Sequence, residues 1–97
     1  MNIGLDYDDT YTRDPVLWQA FIARATSEGR HKVYIVTWRN EQEAAEMNLP
    51  TAVRDRLAGV YATNRQAKEK FMYAQGIRID VMIDDNPRAW VQDMERL

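Results

Sequence analysis

Apolar residues fall in four short runs along the chain, and between the runs they return at helical spacing. Residues 2–6, "NIGLD", read as a short buried strand. In "RDPVLWQAFIARATSEG", Asp14 suits a helix N-cap and Pro15 the first helical position. Leu17, Trp18, Phe21, Ile22 and Ala25 then share one face, and Gly29 ends the helix. "KVYIVT", 32–37, is apolar and β-branched almost throughout, as in a strand buried on both faces. Residues 41–47 and 51–58 read as short helical pieces interrupted by Pro50. "GVYAT", 59–63, is a third strand. Residues 65–75 form a helix with Ala67, Phe71 and Ala74 inward, stopping at Gly76. "IDVMID", 79–84, is a fourth strand. Asn86 and Pro87 then start a last helix with Trp90, Val91, Met94 and Leu97 inward.

Strand and helix alternate four times, without repeats or linkers. That predicts one α/β domain over 1–97, a three-layer α/β/α Rossmann-like parallel sheet of about four strands joined by right-handed crossovers. Ligands of such sheets sit beyond the carboxyl ends of the strands. The residues there are Asp6-Tyr7-Asp8-Asp9-Thr10, Thr37-Trp38-Arg39-Asn40, Thr63-Asn64-Arg65 and Asp84-Asp85-Asn86. The two acidic groups can meet only if strands one and four are neighbours.

Charge sharpens this picture. Two carboxylates about 4 Å apart repel by roughly 4 kcal/mol at an effective dielectric near 20. A domain stabilised by only about 5–15 kcal/mol cannot easily carry Asp6, Asp8, Asp84 and Asp85 in one pocket. Protons or a divalent cation must relieve them. The chain has no cysteine, and its one histidine, His31, precedes strand two and reads as a surface residue. An all-oxygen donor set suits Mg²⁺.

Composition narrows the classes. At 45% hydrophobic and 29% charged residues, the chain reads as an ordinary globular domain. A net charge of −2 argues against a protein held on nucleic acid mainly by phosphate contacts, though not against a nucleotide or a strand end as substrate. No apolar run approaches the ~18 residues of a membrane span, and no secretory signal is visible. The expected location is cytoplasmic. Plainer roles compete at each position: Asp8-Asp9 as a solvated turn, Asp84-Asp85-Asn86-Pro87 as a helix cap, Thr37 as a turn residue. Trp18 and Trp90 suit the core, whereas Trp38 falls in a site loop and suits a substrate platform.

The four strand ends also carry a resemblance. "IGLDYDDT" resembles the first motif of the haloacid dehalogenase-like (HAD) phosphohydrolases, an apolar strand followed by D-x-D-x-T. "VYIVT" resembles the second motif, a lysine before the last strand the third, and "VMIDDNP" the fourth. The motifs occur in family order from residue 3 to 87. The resemblance implies a capless HAD-like sheet of order 4-1-2-3 and a Mg²⁺-dependent phosphatase. Asp6 would be the nucleophile forming an aspartyl-phosphate, and Asp8 the general acid and base. Asp6, Asp8, Asp84 and Asp85 would surround the metal, with Asp8 using its backbone carbonyl. Thr37, a lysine and, by its Thr-x-Arg spacing, Arg39 would bind phosphate. Lys68 fits the lysine role better than Lys70, which lies farther along a helix that leads away from the site. Asp9 stands where the family often has glycine. The interval from Thr10 to Thr37 leaves no room for a cap domain, so the site is expected to be open. Nucleotides and nucleic-acid 3′ ends are candidate substrates, and a non-catalytic phosphate- or metal-binding module is the alternative. A signalling receiver domain fits less well, because its acidic pair follows the first strand and its lysine the last.

Overall fold

A computed structural model describes residues 1–94. The four apolar runs form β1 (Asn2–Leu5), β2 (Lys32–Thr37), β3 (Gly59–Ala62) and β4 (Val81–Ile83). All pairings are parallel, in the order β3-β2-β1-β4, which from the other edge reads 4-1-2-3. Strands one and four are therefore neighbours, with Ile3, Gly4 and Leu5 opposite Val81, Met82 and Ile83. This pairing puts the two acidic strand ends side by side.

The α-helices are α1 (Pro15–Thr26), α2 (Glu41–Ala44), α3 (Thr51–Arg54) and α4 (Lys68–Ala74). Side chains alternate across a strand. Ile3, Leu5, Val33 and Ile35 accordingly pack with Ile22 of α1 and Val53 of α3. Tyr34 and Val36 pack on the opposite face with Met72 of α4 and with Trp90. Helical segments thus cover both faces. Trp90 lies so close to β1 that a Cβ on Gly4 would come within 2.3 Å of its ring, so this position requires glycine. β2 is buried from Val33 to Thr37, whereas β4 is an edge strand with Val81 and Met82 part-exposed.

Asp14 caps α1 as expected, its carboxylate accepting from the Leu17 N–H at 3.2 Å. Several expectations are corrected. β4 is shorter than 79–84: the Asp80 N–H still reaches the Asn2 carbonyl at 2.8 Å, but the paired residues run only from Val81 to Ile83. The 41–47 helix is a single turn closed by a capping box of Asn40 and Glu43; the chain then leaves it, and Met47 and Leu49 are buried. The 65–75 helix begins only at Lys68, since Asn64 and Arg65 adopt φ of 53° and 66°, outside helical space. Met72 packs where Ala74 was expected, and Ala74 is exposed. Leu17 is exposed rather than on the inner face of α1.

The helix expected after Asn86 is one 3-10 turn, Pro87–Trp90, and Asn86 makes no side-chain cap bond. Beyond it the Asp93 carboxylate accepts from the Ala67 N–H at 2.7 Å, and the Met94 N–H donates to the Arg65 carbonyl at 2.7 Å. These ties turn the chain off a helical path. Trp90 is buried, but Val91 and Met94 are exposed; Leu97 lies outside the described residues. No helix among the described residues is long and apolar enough to cross a membrane.

Candidate active site

β1 delivers Asp6 directly. Its N–H donates to the Ile83 carbonyl at 2.9 Å, one step past the paired residues, which aligns it with Asp84 at the end of β4. Lys68, the first residue of α4, closes the pair: its Nζ lies 2.7 Å from Asp6 Oδ1 and 2.6 Å from Asp84 Oδ2. All three side chains are at least nine-tenths buried. The ammonium also lies 5.6 Å from the centre of the Trp90 ring. Thr10 Oγ1 stands 2.9 Å from Asp6 Oδ2 and 3.1 Å from Asp85 Oδ1. It has one proton and can serve only one of these carboxylates at a time. Oxygens of Asp6, Asp84 and Asp85 lie within 4.8 Å of one another.

Three carboxylates therefore converge beside one ammonium, which bonds two of them. Lys68 is a neutralising group that the sequence reasoning, limited to protons and metal, had not put in that role. It is insufficient. Burial pushes Asp6 up to about 7; Lys68 pulls against this, and Asp84 adds to it. For Asp85, burial acts upward, but hydrogen bonds with Asp6 and Thr10 outweigh it and hold the group below its ordinary range. The cluster thus pushes Asp6 and Asp85 in opposite directions. Desolvation disfavours the charged form of Asp6. A hard divalent cation fits this donor set: the oxygens converge, all ligands are carboxylates, and negative charge remains after Lys68 is counted.

The rim is built differently. Asp8 was expected to reach the metal through its backbone carbonyl, and its carboxylate lies apart from the Asp6, Asp84 and Asp85 cluster. Arg39 holds it as a fork, Nε to Oδ2 and Nη2 to Oδ1, both at 2.9 Å. The remaining guanidinium nitrogen, Nη1, donates to the Glu43 carbonyl at 2.7 Å, and the group lies 5.2 Å from the centre of the Tyr7 ring. The next residue, Asp9, takes φ 61°, a left-handed conformation that explains a preference for glycine there. Aspartate tolerates it better than most residues.

A second fork, Arg65 on Glu43, stands beside the first. Nη2 is 3.0 Å from Oε2, and Nη1 meets Oε1. Arg65 and the Asn40 N–H hold the Glu43 carboxyl down at about 2. Sequence reasoning placed Arg65 at a strand end but gave neither residue a role; the Thr-x-Arg spacing that singled out Arg39 recurs in Thr63-Asn64-Arg65 and could have found Arg65. Thr10 was equally readable, as the threonine of D-x-D-x-T.

Asp6, Asp8, Arg39, Lys68, Asp84 and Asp85 share one open cleft of about 500 Å³, with Glu43, Arg65 and Trp38 at its edge. Trp38 is half-buried, its indole N–H donating to the Gln66 carbonyl at 3.0 Å. Thr37 is not among the lining residues; it is buried, and its hydroxyl accepts from the Arg39 N–H at 3.3 Å. Lys70 is exposed and lines a separate groove with Tyr73 and Val91, so Lys68 is the lysine at the cluster.

No protein-family model matches the chain, and comparisons with curated proteins and with solved structures find no match either.

Proposed function

We propose that this chain is a Mg²⁺-dependent phosphatase of the haloacid dehalogenase-like kind, hydrolysing phosphomonoesters through a phosphoryl group carried on Asp6. One observation carries the reading: two carboxylates from strand ends far apart in sequence, Asp6 and Asp84, meet on the buried ammonium of Lys68. A buried charge cluster of this kind is costly to maintain, and perturbed acids gathered in a cleft mark functional sites.

The chemistry follows from the placement. An Asp6 oxygen attacks phosphorus, the bond from phosphorus to the ester oxygen breaks, and Asp8 gives the leaving oxygen its proton. Water then attacks the aspartyl-phosphate while Asp8 takes a proton from it, releasing inorganic phosphate and restoring Asp6. Lys68 offsets phosphoryl charge from below, and Arg39 offers a planar fork that matches phosphate. Thr37 acts less directly, by accepting from the Arg39 N–H. Asp6, Asp84 and Asp85 would hold Mg²⁺, which supplies positive charge against the phosphoryl oxygens. The open cleft and the Trp38 ring suit a nucleotide or a nucleic-acid 3′ end.

Hydrolysis of an aryl phosphate is the test. Wild-type protein turns it over with Mg²⁺ and stops with EDTA, while a folded Asp6→Asn variant is inactive. Absence of turnover across nucleotides, sugar phosphates and 3′-phosphorylated oligonucleotides would favour the second reading, a non-catalytic phosphate- or metal-binding module. That reading draws on the Asp8 carboxylate, which is tied to Arg39 rather than free in the cleft.

A further inference from the structure

Each nitrogen of the Arg39 guanidinium has a partner. Two nitrogens hold Asp8, the third holds the Glu43 carbonyl, and its flat face lies near Tyr7. The anchors differ in kind. Glu43 belongs to the capping turn of α2, and its own carboxylate is held by Arg65, so the Nη1 bond is tied to a fixed piece of backbone. Tyr7 is buried in the core. Asp8 is the exception: its side chain is half-exposed and rests on Arg39 alone among the described residues. Arg39 is thus a fixed fork carrying a releasable carboxylate. A phosphoryl group presents the same geometry as that carboxylate, two oxygens to two parallel N–H donors. One fork edge cannot hold both.

We infer that Arg39 is a positioning residue that keeps Asp8 off the reacting centre until a phosphoryl group takes the place of Asp8 on the guanidinium. This rests on the phosphatase reading and adds to it a coupling between substrate binding and acid placement. Without a phosphate ester in the cleft, Asp8 is parked on the rim. When the ester arrives, its oxygens satisfy the fork, and Asp8 is free to turn toward the leaving oxygen. The exchange needs no large motion, because the fork stays anchored on Glu43 and Tyr7.

The exchange also sets a measurable cost. Phosphate that takes the Nε/Nη2 edge must displace Asp8, so its affinity is reduced by the strength of the Arg39–Asp8 pair. Part-exposed pairs of this kind are weak, so the reduction is about fivefold.

Calorimetric titration of inorganic phosphate, at fixed Mg²⁺, reads this directly in four proteins: wild type, Asp8→Ala, Arg39→Ala and the double variant. Asp8→Ala should bind phosphate about fivefold more tightly than wild type. In the Arg39→Ala background the same change should alter affinity less than about twofold, the residue left by general charge. Asp8→Ala made in an Arg39→Lys background, which keeps the charge and loses the fork, should show the smaller gain as well when titrated against Arg39→Lys alone. An equal gain with and without Arg39 would overturn the inference, since Asp8 would then act only through its charge. Phosphate failing to bind to any variant, wild type included, would overturn it differently, by removing the phosphate site on which it rests. Asp8 and Arg39 are both part-exposed, and a melting curve for each variant verifies that it folds.

Discussion

The floor and the rim of the cleft hold the same kind of interaction, an acid against a base, in opposite surroundings. On the floor, Lys68 meets Asp6 and Asp84 with every side chain nearly sealed from water. On the rim, Arg39 meets Asp8 and Arg65 meets Glu43, with a quarter to a half of each side chain exposed. Solvent makes the rim pairs cheap to break and easy to exchange. Burial makes the floor expensive in either direction: losing a charge strands its partner, and the excess carboxylate already costs stability. The difference separates a floor of charges shielded from water from a rim of charges that water screens.

Breaking the floor should have the largest effect. Lys68→Met keeps the bulk and removes the charge, leaving Asp6 and Asp84 without a basic partner. We expect a loss of roughly 3 kcal/mol in chemical denaturation without metal. Part of it should return with Mg²⁺, because a ligand selective for the folded state stabilises it. Turnover should fall at least about a hundredfold even with metal.

Asp6→Asn should move stability the other way while abolishing turnover. The folded-state pKa of Asp6, about 7, lies above its ordinary value of 3.8. Between these values the folded protein holds a proton that the unfolded chain has released. The stability contributed is full below the unfolded value and is lost as pH rises through about 7. In EDTA the wild-type melting temperature should therefore fall by about 5 °C between roughly pH 5 and 8. Asp6→Asn should flatten this fall and melt higher than wild type at the upper end. Saturating Mg²⁺ should flatten it in the wild type, the cation standing in for the proton.

The smallest effect belongs to the rim. Glu43→Gln removes the acid from an exposed fork. It should shift the melting temperature by less than about 2 °C and leave Mg²⁺ affinity within about twofold, with salt reducing both changes. A shift as large as that of Lys68→Met would erase the distinction between floor and rim.

The floor was also the more legible region. β2 was read to its last residue, because "KVYIVT" is an unbroken apolar run between polar neighbours. Asp6, Asp84 and Asp85 followed from the strand ends and from the repulsion their meeting would create. The rim depended on local turns that periodicity does not encode. Asn64 and Arg65 leave helical space, so the chain carries Arg65 into the cleft instead of beginning a helix. Asp8 shares its four-residue segment with Asp6, yet Asp9 turns the backbone and Arg39 captures the side chain. The segment after Asn86 misled for a related reason: Trp90 obeys helical spacing, but bonds from Asp93 and Met94 to the 65–67 loop decide its path. Long-range hydrogen bonds of this sort have no signature in a single chain.

A calorimetric Mg²⁺ titration of the wild-type protein and of Asp84→Asn near neutral pH tests the shared-cation site most directly. One ion should bind per chain, with release of the proton held on Asp6 shown by a heat that varies with the ionisation enthalpy of the buffer, and Asp84→Asn should lose the binding. No binding at millimolar Mg²⁺, or the same binding in Asp84→Asn, would contradict a cation held between the ends of β1 and β4.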